Sequence, residues 1–163
     1  MSGDLIAISI KGVMPTAGGT AVFLGTESKT FVIHMDPGMG HTITMELQHV
    51  HPERPLTHEL IGKIFMGLGV TLEHIIINNI EDATFFARII LTMRNELGVK
   101  VIELDARPSD AIVLALQAQR PIYISRGVFE KVEDITHILS KLMEENKKAE
   151  NEEEDENGGF GNS

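Results

Sequence analysis

Residues 105 to 116 read DARPSDAIVLAL, and the change of pattern inside that stretch decides how the C-terminal half folds. Val101, Ile102 and Leu104 carry the apolar, β-branched character of a strand into Asp105. Pro108 then sits where the first turn of a helix tolerates a missing N–H, so the spacing predicts a helix from about Pro108. The helix body is apolar or small, with Ile112, Val113 and Leu116 beside Ala111, Ala115 and Ala118. Ser109 and Asp110 fall in its first turn, where unpaired backbone N–H groups and the positive end of the helix dipole favour oxygen atoms. Two carboxylates, a guanidinium and a hydroxyl are thus gathered at one helix start. Two readings follow. Asp105, Ser109 and Asp110 satisfy helix-start donors with Arg107 paired to one of them, or they build a site for chemistry.

Upstream, Leu5 to Val13 alternates as a strand, the PTAGG run at 15 to 19 is turn chemistry, and Ala21 to Leu24 and Thr30 to His34 read as further strands. Residues 39 to 50 admit two readings. As a strand, Ile43, Met45 and Leu47 share a face with His49 and His51; as a helix, Met39, Ile43, Leu47 and Val50 form the apolar stripe, against the poor helix formers Thr42, Ile43 and Thr44. Thr57 begins a helix with Leu60, Ile61, Ile64, Phe65 and Leu68 facing inward and Gly69 as its stop. Leu72 to Asn79 and Thr84 to Met93 flank a Glu-Asp-Ala turn as a hairpin, and NELG at 95 to 98 leads into the strand ending at Asp105. Pro121 to Ser125 is a short strand, and from Val128 the chain becomes helical with Ile135, Ile138, Leu139 and Leu142 in a stripe. The fold class is α+β, a mixed, largely antiparallel sheet with helices packed against it. One echo suggests a duplicated α-β unit: Arg54-Pro55-Leu56-Thr57 and Arg107-Pro108-Ser109-Asp110 each precede a helix and then a strand. A pseudo-twofold between the two would set Thr57, His58 and Glu59 near Asp105, Arg107, Ser109 and Asp110.

With 163 residues the chain supports one domain with a real core, expected over 1–143, followed by a stretch at 144–163 too acidic to bury apolar surface and expected to be unfolded. The formal charge is −10, and because 144–163 holds eight acids and two lysines, residues 1–143 keep only −4. Lysines and arginines are scattered rather than striped, so affinity for nucleic acid by counterion release alone is disfavoured. The absence of cysteine excludes disulfides, thiolate metal sites and a thiol nucleophile. With no Trp and one Tyr there are few platforms for stacking bases. The opening MSGDLIAISIKGVMP has neither a basic n-region nor a long apolar run, so a cytoplasmic protein is expected.

Three blocks in order, RPLTHEL at 54–60, TFFARI at 84–89 and DARPSDAIVLALQAQRPIYIS at 105–125, resemble the bifunctional nuclease family, over about residues 4–135. The resemblance implies an α+β domain and degradation of RNA and DNA, usually with a divalent metal. It also favours the helical reading of 39–50. Where many members carry an isoleucine-glycine-x-x-glutamate-alanine run, this chain has Met35, Asp36, Pro37, Gly38, Met39 and Gly40, so the glutamate position holds Met39.

A cleft at the paired helix starts has what a metal-assisted phosphodiester hydrolase needs: carboxylates for Mg²⁺ or Mn²⁺, a base, and cations for the transition-state charge. Asp105, Asp110 and Glu59 are the ligand candidates. His58 is the candidate for activating water. Arg107 and Arg54 would stabilise phosphoryl oxygens, and Ser109 and Thr57 would hold substrate beside the first-turn N–H groups. The plainer reading makes Thr57 and Asp110 caps, Glu59 a partner of the helix dipole and His58 a surface residue. His49-Val50-His51 could chelate a transition metal only on a strand, where residues two apart share a face. Met39, Met45, Met66 and Met93 are core filler by position. The glycine-rich runs GGTAVFLG and GMGHT lack a phosphate-loop pattern. No organic cofactor is implied.

Two function classes stay open. One is a small nuclease acting on RNA or DNA. The other is a non-catalytic dimeric module whose motif residues cap helices and build a subunit interface, because the runs IIINNI and FFARIILTM suggest apolar strand edge that a homodimer would cover.

Overall fold

The apolar runs on either side of the helix starts fold into one seven-stranded sheet, seen in a computed structural model that describes residues 4–157, with side chains described through Glu153. The strands are β1 (Leu5–Thr16), β2 (Gly19–Gly25), β3 (Thr30–Met35), β4 (Val70–Glu81), β5 (Thr84–Asn95), β6 (Gly98–Ala106) and β7 (Ile122–Ser125). The helices are α1 (Pro37–Leu47), α2 (Thr57–Gly67), α3 (Pro108–Ala118), α4 (Arg126–Lys131) and α5 (Thr136–Asn157). The sheet order is β3-β2-β1-β7-β4-β5-β6. Neighbours are antiparallel except β4 and β7, so the mixed, largely antiparallel α+β class holds.

Two β-β-β-α runs, β1 to α1 and β4 to α3, flank β7, and their first strands run in opposite directions. The internal echo therefore lies elsewhere than the Arg-Pro dipeptides. Pro37 and Pro108 occupy the first turns of the equivalent helices α1 and α3, whereas Pro55 precedes α2, whose N-cap is Leu56.

Alternation along the strands sorts side chains between two layers. Val22 and Leu24 enter the main core with Phe31, Ile43, Ile75, Ile77, Ile112 and Ile124, while Ala21 and Phe23 on the other face meet Ile135, just before α5, and Leu139 within it. Helix α3 runs through the centre. Ala111 through Ala115 are all buried, as the uniformly apolar body required, while Ala118 at its end is exposed, contrary to expectation. Helix α1 settles the ambiguity at 39–50. The Asp36 side chain accepts the Met39 N–H at 2.9 Å, a cap that outweighs the weak propensity of the threonines. Gly69, with φ +67°, follows α2 as its stop. The β4–β5 connection turns through Asp82 and Ala83, both at positive φ (48° and 62°), the geometry of a two-residue hairpin.

Four expectations are corrected. Ile61 and Phe65 of α2 pack on the core, but Leu60, Ile64 and Leu68 face outward, because the helix lies at the rim of the layer and contacts it along one edge. The same rim position leaves Met66 exposed. The IIINNI and FFARIILTM runs form no sheet edge: β4 lies between β7 and β5, and β5 between β4 and β6. Residues 144–157 continue α5 instead of unfolding, since Glu, Lys and Ala are good helix formers and Glu144 stands four residues before Lys148. The remainder, 158–163, lies outside the described residues. Among the described residues no helix is long and apolar enough to cross a membrane.

Candidate functional site

Helix α3 begins directly at the end of edge strand β6, and α2 packs alongside it, so the two helix starts named by the sequence meet. His58, in the first turn of α2, places Nε2 2.9 Å from Oδ1 of Asp110, in the first turn of α3. Arg107 donates Nε to Asp110 Oδ2 at 2.8 Å and Nη2 to Oδ1 at 3.2 Å. Asp110 therefore does not cap its own helix; its carboxylate is the hub joining His58 to Arg107. The imidazole is mostly shielded, with 14% of the side chain exposed, and Nδ1 has no hydrogen-bond partner among the described residues. The juxtaposition of His58 with Arg107 and Asp110 is the one the echo anticipated, although the echo itself was misplaced.

Burial pushes the Asp110 carboxyl up, but hydrogen bonds and charge from Arg107 and His58 outweigh it and hold it below the usual carboxylate range. A carboxylate whose folded value is depressed contributes stability above its unfolded value, near 3.9, and loses it as pH falls through the folded value. Asp110→Asn is accordingly expected to lose stability near neutral pH and to show a flatter decline than the parent below about pH 4. Thermal melts from pH 7 down to 2 check this, and parallel curves for the two proteins would overturn it.

Gln117 was not singled out from sequence. Its Nε2 donates to the His58 carbonyl at 3.0 Å, tying α3 to the turn that carries the imidazole. Gly62 lets it pass, since an added Cβ there would collide with the Gln117 amide. Neither partner advertises this in sequence, because a glutamine late in a helix and a glycine mid-helix acquire meaning only from the crossing of α2 over α3.

The remaining candidates separate. Asp105 lies in β6 on the side opposite Ala106, which packs on the core; it is exposed and pairs in register with Arg88. The strand's period of two thus turns it away from the helix layer. Glu59 reaches back along its own helix start, accepting the Leu56 N–H at 2.9 Å, and has His51 Nδ1 at 3.7 Å. It does what the dipole-partner reading expected. Asp105, Asp110 and Glu59 hence do not form the expected three-carboxylate cation site. Among the described residues no three His, Asp or Glu side chains are gathered so as to hold a metal. Thr57 is exposed at the first position of α2 and is not its cap; Arg54 is exposed in the loop before it. His49 and His51 fall in the loop after α1, not on a strand, which removes the geometry their chelation needed. Near them, burial and then the Glu59 carboxylate raise the Glu46 pKa against the opposing pull of His51, His58 and His49.

Beside this hub runs a groove of about 480 Å³ between β3, the β4–β5 turn and the start of α3, lined by His34, Asp36, Ile80, Phe85, Arg107 and Ser109 among others. Arg107 is common to the groove and to the His58–Asp110 pair. Ser109 is 8% exposed.

The model of the bifunctional nuclease domain matches residues 22–136, a span that holds both helix starts and the groove. The chain belongs to the bifunctional nuclease domain family. Its match begins in β2, where the sequence resemblance had extended back to about residue 4. Two curated relatives, the uncharacterized proteins MT1877 and Rv1829 from two strains of Mycobacterium tuberculosis, are each 40% identical over 86 residues. That stretch is 53% of this chain and 48% of the relatives, so the chain spans about half the length of the curated relatives it matches.

Proposed function

We propose that this chain hydrolyses phosphodiester bonds of RNA or DNA and that His58, Asp110 and Arg107 do the work. The observation that carries the reading is the hydrogen-bonded meeting of His58 with Asp110 and Arg107, brought from two family motifs that lie 52 positions apart at His58 and Asp110. With Nε2 held by Asp110, Nδ1 is the nitrogen that takes a proton from the attacking water or hydroxyl and returns it to the leaving oxygen. Asp110 orients the ring and stabilises the imidazolium. Arg107 spends Nε and Nη2 on Asp110, leaving Nη1 for a phosphoryl oxygen. Arg54 and Thr57, exposed around the start of α2, meet the flanking strand. Glu59 and Asp110 are held by different partners and Asp105 faces away on β6, so on this reading His58 moves the proton without a cation held by these three carboxylates.

The test is cleavage of labelled single- and double-stranded RNA and DNA by purified protein, with Mg²⁺, Mn²⁺ or a chelator. Cleavage that persists in chelator is expected. No cleavage of any substrate under any condition would overturn the nuclease reading.

A second reading, self-association, is favoured by a different observation from the strand runs first suspected. Leu56, Leu60, Ile64 and Leu68 follow one another at helical spacing and are 48%, 52%, 49% and 65% exposed, an apolar face of a kind that marks interaction sites. We propose that a second copy of α2 covers it in a symmetric dimer, which aligns like stripes about a twofold. Sedimentation of dilute protein is expected to give a dimer and of Ile64→Asp a monomer. A monomeric parent would sink this reading and leave the nuclease one standing.

A further inference from the structure

The start of α3 carries donors that the His58 pair does not use. Pro108 has no N–H, and the N–H groups of Ser109 and Asp110 lie in the first turn, where a helix offers no internal partner; the N-cap Arg107 makes no side-chain cap bond to them. Helices α1 and α3 differ here, since α1 spends its free Met39 N–H on Asp36. The independent observation is Ser109. Ser109 lines the groove, is only 8% exposed, and its hydroxyl has no hydrogen-bond partner among the described residues. A shielded hydroxyl at a positive helix end, next to an arginine, is a donor set for an oxyanion. Two carboxylates stand nearby: Asp110 is paired with Arg107 and His58, and Asp36, which also lines the groove and keeps its charge, accepts the Met39 N–H. The groove also has an apolar part. Ile80 and Phe85 line it, and Phe85 is itself backed by Phe31 with ring centroids 5.9 Å apart. A groove of about 480 Å³ is within the range of small-ligand pockets and suits one nucleotide rather than a duplex.

We infer that this groove binds a single nucleotide unit through its phosphate, with Ser109 Oγ and the Ser109 and Asp110 N–H groups on the phosphoryl oxygens and the base against Phe85. The inference deepens the nuclease reading by naming a single-stranded, phosphate-bearing unit as what the site grips, and it rests on that reading only for its link to cleavage. A bound phosphate here lies beside Arg107, the residue shared with His58 and Asp110.

Binding is measured directly, by calorimetry with adenosine 5′-monophosphate, inorganic phosphate and adenosine. The monophosphate is expected to bind tightest, phosphate weakly and adenosine least. Ser109→Ala is expected to weaken the monophosphate about tenfold, the loss of one hydrogen bond to a charged group. Ser109→Asp puts a carboxylate at the helix start where the phosphate would sit, so binding is expected to be lost, and melts of the unliganded variant and of Ser109→Ala show how much of that loss comes from the cost of burying a charge. That combination separates a ligand role from a structural one. His58→Ala is expected to keep binding, so a protein that binds the monophosphate yet never cleaves would fail the catalytic reading alone. If Ser109→Asp binds as the parent does, or adenosine binds as well as its monophosphate, the inference is overturned even where cleavage is intact.

Discussion

Replacing His58 by alanine is expected to lower cleavage about 10²- to 10⁴-fold, the usual contribution of a general acid or base. The argument turns on the ring's setting. One nitrogen is fixed 2.9 Å from Asp110 and the other has no partner among the described residues, which on the proposed reading leaves that second nitrogen for proton transfer. Alanine also leaves Asp110 with Arg107 as its remaining partner, and a loss of stability is expected alongside. His58→Gln resolves the two effects. Its amide can keep the hydrogen bond to Asp110 but cannot carry a proton through the cycle, so it should melt closer to the parent than alanine does and still cleave at a small fraction of the parental rate. Cleavage by either variant within a few-fold of the parent would remove His58 from the mechanism, and the hub would then be a tie between α2 and α3.

Gly40→Ala is expected to destabilise the protein by about 1–3 kcal/mol, the range for forcing extra volume into a packed interior. Helix propensity alone argues the other way, since alanine in a helix interior is favoured over glycine by roughly 1 kcal/mol. Packing decides the sign. A Cβ built on Gly40 falls inside the contact distance of Thr20 Oγ1, Cβ and Cγ2. Thr20 is 7% exposed in β2, and a β-branched side chain there cannot rotate its Cβ away. Either α1 lifts from the sheet or β2 shifts. Denaturant titration reads the change, and an unchanged or raised midpoint would show that α1 approaches β2 less closely. Because α1 packs beside α3, cleavage should also fall if the helix lifts.

Legibility differed element by element for physical reasons. Pro108, the apolar body after it and Gly69 announced the ends of α2 and α3 through rules local to a few residues. Helix α1 was ambiguous because its stripe fits both periods, and what settles it is one carboxylate, Asp36, in reach of the Met39 N–H. The outward face of α2 is not legible in the sequence because periodicity reports that a helix has an apolar side, not whether a neighbour covers it. Of the site, motif and residue type point to His58, Arg107 and Asp110, and the fold brings these three together. Asp105 belongs to the same motif as Asp110, but strand alternation sends it to the other face. Gln117 carries no signal short of knowing what crosses Gly62.

Hydrophobic period, proline and glycine act through the nearest few residues, so the α+β class, the order of most elements and the polar groups at two helix starts are written locally in the chain. Which of those polar groups meet is a matter of long-range packing. A contact between positions 58 and 110 depends on how α2 and α3 pack on a shared sheet, and packing depends on the whole set of buried surfaces at once rather than on any short stretch of chain.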